Sequence, residues 1–469
     1  KRTIVLFRND LRVRDNAVLN FVASSQRTGA TELLCVYCFD PRTYRPTQRS
    51  LHKTGVYRAK FLLQSVENLR QNLRAMGCEL LVATEKPEEL IPKLLAGVVS
   101  SDVVVLAEAT SEEQGVETRV QRGVEGLGAK GAHKLHRIIG GHTLYHPEDI
   151  PYELNCAKVP NMFTPFKEKV EGASKVRPLI ATPTLPTSVT AATLSPHLGF
   201  TPQEVQAAGG AEGKGVMAFQ GGEDAALGRL QQWMFRDDNL KDYFEMRNGM
   251  LGEAYSSKLS PWLAAGCISP RQIYHAAKRY ESERGIANKS TYWLVFELIW
   301  RDFFRFFCIK HGKRVFMEGG ACSVSKPWNT DEEKIRRWKL GQTGQPLVDA
   351  NMRELLQTGF MSNRGRQNVA SYLVLELGVD WRVGADHFES LLLDSDTCSN
   401  WGNWNAAAGL TGGRVNRFNC VKQSRDYDPQ GTYIKQWLPE LARLPLPMLF
   451  NPSGMSASEQ SSLGVSVGV

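Results

Sequence analysis

The rhythm of apolar and polar positions changes once along the chain. In the first third, short apolar runs alternate with longer stretches at helical spacing. The runs "TIVLF" (3–7), "LLCVYCF" (33–39), "ELLVA" (79–83), "DVVVLA" (102–107) and "KLHRII" (134–139) read as buried strands. Between the second and third, residues 56–76 place Phe61, Leu62, Val66 and Leu69 on one helical face. Buried strands alternating with helices predict a parallel sheet covered on both faces. From about 215 to 445 the spacing is helical, with almost no strand signal. The stretch "STYWLVFELIWRDFFRFFCIK" (290–310) is apolar nearly all round and predicts a buried helix. Residues 176–206, rich in Pro, Thr and Ala, predict a linker crossing a surface. The small and polar residues 451–469 predict a frayed tail.

The expected architecture is therefore an α/β Rossmann-like domain over 1–150, a linker over 151–214, an all-α domain over 215–448 and a flexible tail over 449–469. No GxGxxG follows the first strand; "FRNDLRVRDN" stands there instead, so the usual dinucleotide fingerprint is missing. A length of 469 residues suits two or three domains, and 42% apolar with 23% charged residues is ordinary for a globular chain. The net charge of +8 permits binding to phosphate backbones without demanding it. Cys35 and Cys38 form a CxxC, but on a strand their side chains point to opposite faces. No second pair exists to complete a zinc site. Nine scattered cysteines fit a reducing compartment, and no apolar run reaches membrane-spanning length.

Four segments carry candidate chemistry. In 290–310, Trp293, Glu297, Trp300, Arg301 and Phe304 share a stripe, and Glu297 and Arg301 sit at pairing distance along a helix. The stripe is either a core helix with one ion pair or a cleft wall for a flat, polar partner such as a nucleobase. In 359–381, Asn363, Arg364 and Arg366 interrupt an apolar region and need partners, for which Asp394 and Asp396 are the natural candidates. The stretch "DSDTCSNWGNWNAAAG" (394–409) puts Asn400 and Trp404 on one helical face, with both Asp at the helix start. It reads as a capped core helix or as a grip on a heteroaromatic cofactor. Finally, Ser256, Ser257, Lys258 and Ser260 precede a helix opening at Pro261, which reads as a phosphate site or a simple cap.

Together these segments resemble the photolyase/cryptochrome family, most closely its DASH branch. The motifs are "RNGMLGEAYSSKLSPWLAAGCISPR", "FELIWRDFFRF", "LVDANMRELLQTGFMSNRGRQNVASYL" and "DWRVGADHFESLLLDSDTCSNWGNW". The resemblance implies an antenna-type N-terminal domain and FAD held in a helical domain. Tyr243, Ser256, Ser257, Lys258, Leu259 and Ser260 match the segment that grips the pyrophosphate. Asn363, Arg366, Asp394 and Asp396 match residues around the isoalloxazine and ribose, and Asn400 the residue facing flavin N5. Trp404, Trp381 and Trp328 match an electron-relay triad. Glu297, Trp300, Arg301 and Gln367 match the DNA-facing cleft, Gln367 standing where ordinary photolyases usually carry Met. Glu108 matches the acid that contacts a 5,10-methenyltetrahydrofolate antenna.

The implied activity is light-driven electron transfer to cyclobutane pyrimidine dimers, preferentially in single-stranded DNA. The alternative is a photoreceptor signalling through flavin redox state to a partner protein. A monomer is implied, in a plastid or mitochondrion, with nucleus or cytoplasm as alternatives. One departure stands out. Position 406, usually Tyr in DASH proteins and Trp in photolyases, is Ala, and the following stretch "AAGLTGGRVNRFN" looks shorter than the family loop.

Overall fold

The computed structural model describes residues 1–25, 32–50, 52–186, 198–208 and 214–463. Five parallel strands form one sheet: β1 (Arg2–Phe7), β2 (Glu32–Cys38), β3 (Leu80–Ala83), β4 (Ser101–Leu106) and β5 (His133–Ile138). Their order is β3-β2-β1-β4-β5, with Ile4 opposite both Leu34 and Val103. The inner strands β1, β2 and β4 are mostly Val, Ile and Leu where they are buried, because both their faces are covered, whereas the edge strand β5 buries only His133. The helix Val56–Ala75 buries Phe61, Val66 and Leu69, as its spacing predicts. Cys35 packs into the core on one face of the sheet and Cys38 against the cluster on the other.

The second layer is helical. Its axis is the helix Lys289–His311, which starts at Asn288, whose side chain accepts from the Ser290 and Thr291 N–H groups. Against it packs Thr397–Ala407, and Trp381–Leu391 packs in turn against that helix. The two layers are joined by buried charges. Arg12, between β1 and the first helix, donates to the carbonyls of Gly266 (2.8 Å) and Gly141 (2.9 Å). Asp15 pairs with Arg271 at 2.9 Å and accepts from the Ser269 hydroxyl. Asp302, on the axial helix, accepts from the N–H groups of Leu144 and Tyr145, both at 2.9 Å.

Two expectations are corrected. The span 151–214 is more than a linker: Phe163–Ala173 is a helix that buries Phe163, Phe166 and Val170 against the axial helix. Pro165 and Gly172 disguise it in the sequence, but Pro sits in the first turn, where no N–H is needed. Arg177 and the residues up to 186 have no regular structure, and 187–197 lie outside the described residues. The tail is ordered at least to Leu463. Leu449, Phe450 and Met455 are buried, and Ala457–Leu463 is a helix, because three large apolar side chains close over Tyr433 and Trp437. No helix among the described residues is long and apolar enough to cross a membrane.

Candidate cofactor site and nucleic-acid interface

The loop 247–259 is shaped from behind. Arg229 donates to the carbonyls of Ser257 (3.0 Å) and Glu253 (2.7 Å), and the Trp233 indole donates to that of Ala254 at 2.8 Å. Neither residue was legible as functional, since carbonyl partners leave no mark in a sequence. Held this way, Lys258 takes a left-handed backbone, φ 55°, which a residue with a Cβ adopts only where its surroundings impose it. Its side-chain nitrogen lies 3.1 Å from the centroid of the Tyr255 ring. Tyr243 and Leu259 are buried in the same wall, Ser256 and Ser257 are half-buried, and Ser260 is exposed. The Tyr255 hydroxyl is buried without a hydrogen-bond partner. A hydroxyl and a lysine amino group enclosed in this way fit an anionic ligand, because unpaired buried polar groups are costly.

The second wall comes from three helices. Asn363–Ser371 is capped by Ser362 and exposes Asn363 and Gln367 one turn apart. Arg366, also on this helix, grips both oxygens of the buried Asp394, at 3.0 and 2.8 Å. Asp396 does not join them. It caps the helix Thr397–Ala407, accepting from the Ser399 N–H at 2.8 Å, and pairs with Arg301 at 3.2 Å. The Asn400 amide donates to the Ala385 carbonyl at 2.9 Å. That bond fixes which end of the amide faces inward and leaves its carbonyl oxygen directed elsewhere.

Three tryptophans of the expected relay share one apolar cluster. Trp404 packs its six-membered ring on Gly384, where any Cβ would collide with it. Gly384 lies one turn beyond Trp381, which is fully buried and donates to the Glu318 carbonyl at 3.0 Å. Trp328 is tied to the chain before Trp381 by the bridge of Asn329 with Val379. Direct ring contacts run otherwise: Trp404 meets Phe388 (5.2 Å) and Trp338 (6.3 Å), and Trp381 meets Trp401 (5.7 Å).

The expected cleft is rearranged in one respect. Glu297 and Arg301 do not pair. Glu297 accepts from the Trp293 indole at 3.1 Å and faces Arg247 at 3.7 Å. Arg301 turns away from the cleft, towards Asp396 and the carbonyls of His142 and Leu263. A guanidinium that must be buried goes where several acceptors wait, and helical spacing alone cannot reveal that. Trp300 stacks on Phe163, with centroids 3.6 Å apart and planes 7° apart. Two guanidiniums stand at this mouth: Arg247, which sequence reasoning missed, and Arg364, for which it expected acidic partners. Arg364 donates to Gln367 at 3.0 Å and to Asn248 at 2.8 Å and lies over the Tyr427 ring at 4.3 Å; Arg247 lies over Trp293 at 4.7 Å. The Nε–H of each is buried without an acceptor.

Between the two layers lies a cavity of about 250 Å³, lined by Glu108, Glu113, Arg8, His142, Arg305 and Asp396 among others. Burial would raise Glu108, but His142 and Arg305 hold it well below the usual carboxylate range. Glu113 is pushed up to about 7 by burial and by Glu108, so the two carboxyls are unlike at neutral pH.

A family described as the FAD binding domain of DNA photolyase matches residues 293–469, and one described as DNA photolyase matches residues 3–187. A Synechocystis sp. protein named Cryptochrome DASH is 46% identical, the match covering 99% of this chain and 93% of that one. A chloroplastic/mitochondrial Cryptochrome DASH of Ostreococcus tauri is 44% identical over 99% of this chain and 89% of its own length. The crystal structure of a Synechocystis cryptochrome superposes with a TM-score of 0.92 at 45% identity, covering 99% of this chain and 94% of that one. A bacterial class III photolyase from Agrobacterium tumefaciens superposes at 0.81 with 26% identity, covering 100% and 92%.

Proposed function

This chain belongs to the photolyase/cryptochrome family, in its DASH branch, and from that membership we propose that it repairs cyclobutane pyrimidine dimers in single-stranded DNA under blue or UV-A light. Bound FAD supplies the light-driven electron. The chain supplies everything else. Lys258 and the loop 256–260 hold the pyrophosphate, Arg366 with Asp394 fixes the ring and ribose end, and Asn400 presents a neutral amide at flavin N5. Trp328, Trp381 and Trp404 would pass electrons from an external reductant inward to the site that holds the flavin. Glu297, Trp300 and Gln367 receive the extruded lesion, which costs least to expose in a single strand. Arg301 serves the site from behind, through Asp396, instead of touching DNA.

The observation that carries this reading is the pair of guanidiniums of Arg247 and Arg364, lying over the Trp293 and Tyr427 rings beside Glu297 and Gln367. Methenyltetrahydrofolate occupies the cavity between the layers in this reading, with the ionised Glu108 as its polar contact. Plastid or mitochondrial residence follows the algal relative's name.

Ala406 favours a second reading, a photoreceptor acting through a partner protein. An aromatic at this position would stack on the dimer, and base–aromatic stacking is worth ~1–3 kcal/mol per base. A light-dependent repair assay on a dimer-containing single-stranded oligonucleotide decides between the two, with Ala406→Tyr alongside. Repair by the unchanged protein, raised by the tyrosine, supports the enzyme. No repair by either, with flavin bound, supports the photoreceptor.

A further inference from the structure

Lys258 is 3% exposed, and its one polar contact is the Ser256 hydroxyl, 3.5 Å away. Among the described residues no carboxylate is within ion-pair distance of it. The groups that face it come from several elements. Arg229, on the helix Glu223–Gln231, carries like charge and is itself 3.8 Å from Glu253, a half-exposed residue of the loop. Glu354, on the helix Pro346–Thr358, accepts from the Tyr433 hydroxyl at 2.6 Å. Burial pushes Glu354 up to about 8, so its carboxyl is mostly protonated at pH 7, and Glu354 and Glu253 offset only part of the effect of burial on Lys258. Tyr255, beneath the amine, is also neutral, because burial raises its hydroxyl. Burial and Arg229 together push Lys258 down to about 6. A buried ammonium without a counter-ion gives up its proton.

We propose that FAD enters this cradle together with a proton: the arriving pyrophosphate turns Lys258 from a neutral amine into an ammonium, so that cofactor uptake and proton uptake are one event. The inference rests on the FAD reading above. The proton comes from solvent, the amine lone pair accepts it, and no bond of the cofactor forms or breaks. Glu354 is not the donor, because an anion beside it raises its carboxyl further and keeps it protonated. FAD itself keeps its two phosphate charges throughout the neutral range.

The test is calorimetric titration of the flavin-depleted full chain with FAD, at one pH in two buffers of different ionisation enthalpy. About one proton should be taken up per FAD at pH 7.0, below the range in which Glu354 itself titrates. The Kd should rise roughly tenfold per pH unit from about 6.5 to 7.5, since each proton bound with the ligand sets such a slope. Lys258→Arg stays charged with and without ligand, so it should bind FAD with uptake near zero and little pH dependence. FAD binding by the unchanged chain with no proton uptake and a flat pH profile overturns the inference and leaves the FAD reading intact. No FAD binding at any pH overturns both.

Discussion

Arg366 and Asp394 show how much one side chain can decide. Asp394 has 2% of its side chain exposed, and both its oxygens face Arg366. Arg366→Ala would leave that carboxylate buried and alone, at a cost of about 3–5 kcal/mol. The variant should purify without flavin colour and release no FAD on denaturation. Retention of stoichiometric FAD would remove this pair from the binding site. Arg364 belongs to the opposite face of the same helix and predicts a different loss. If its guanidinium meets one phosphate, Arg364→Ala should weaken single-strand binding alike for all sequences and lower the salt slope by about 0.7. An unchanged slope in a salt titration would place the phosphates elsewhere. The sequence pointed to Arg366 because an acid pair stands near in the chain. It was silent on the roles of Arg247 and Arg364, whose partners are rings, two amides and Glu297.

At the scale of elements, the contact between Trp381–Leu391 and Thr397–Ala407 matters most. It exists because Gly384 lets the Trp404 ring lie flat on the neighbouring helix, bringing Trp404 within a turn of Trp381. Trp381→Phe keeps an aromatic ring at this position but replaces an indole with a phenyl, which is much harder to oxidise. Photoreduction with an external donor should slow at least tenfold while FAD stays bound. Full-speed photoreduction in that variant would send the relay through another route, for which Trp338, at 6.3 Å from Trp404, is the nearest candidate. Elements of this kind were readable in proportion to how completely they are buried. The inner strands β1, β2 and β4 are largely apolar on both faces and announced themselves. The helix Phe163–Ala173 carries Lys167, Glu168, Lys169 and Glu171 around three buried residues, and its pattern was lost among them. Arg301 was assigned to the right helix and the wrong side, because spacing along a helix gives the stripe and not the reach of a long side chain.

The whole molecule is two layers locked by charge. Asp15 and Arg271 are almost completely buried, with side-chain exposures of 1% and 4%, and they come from different layers. Arg271→Ala should cost about 3–5 kcal/mol, since it strands Asp15. Scanning calorimetry should then resolve two transitions where the parent chain shows one, the sheet layer melting apart from the helical layer. A single transition at an unchanged temperature would mean that apolar contact alone couples the layers.

That lock also sets a timetable. Arg12 finds the Gly266 carbonyl 254 residues further on, and Asp15 finds Arg271 after 256. During synthesis at roughly 5–20 residues per second, the sheet is complete on the ribosome well before those partners exist. For an interval on the order of 13–50 seconds, two charges built for a dry interface must stay hydrated, and the segment 8–16 must stay open. The nascent chain is therefore most vulnerable after its first domain has formed, not before. Chaperone capture and proteolytic nicking in a translating lysate should concentrate on that opening segment until residue 271 has emerged.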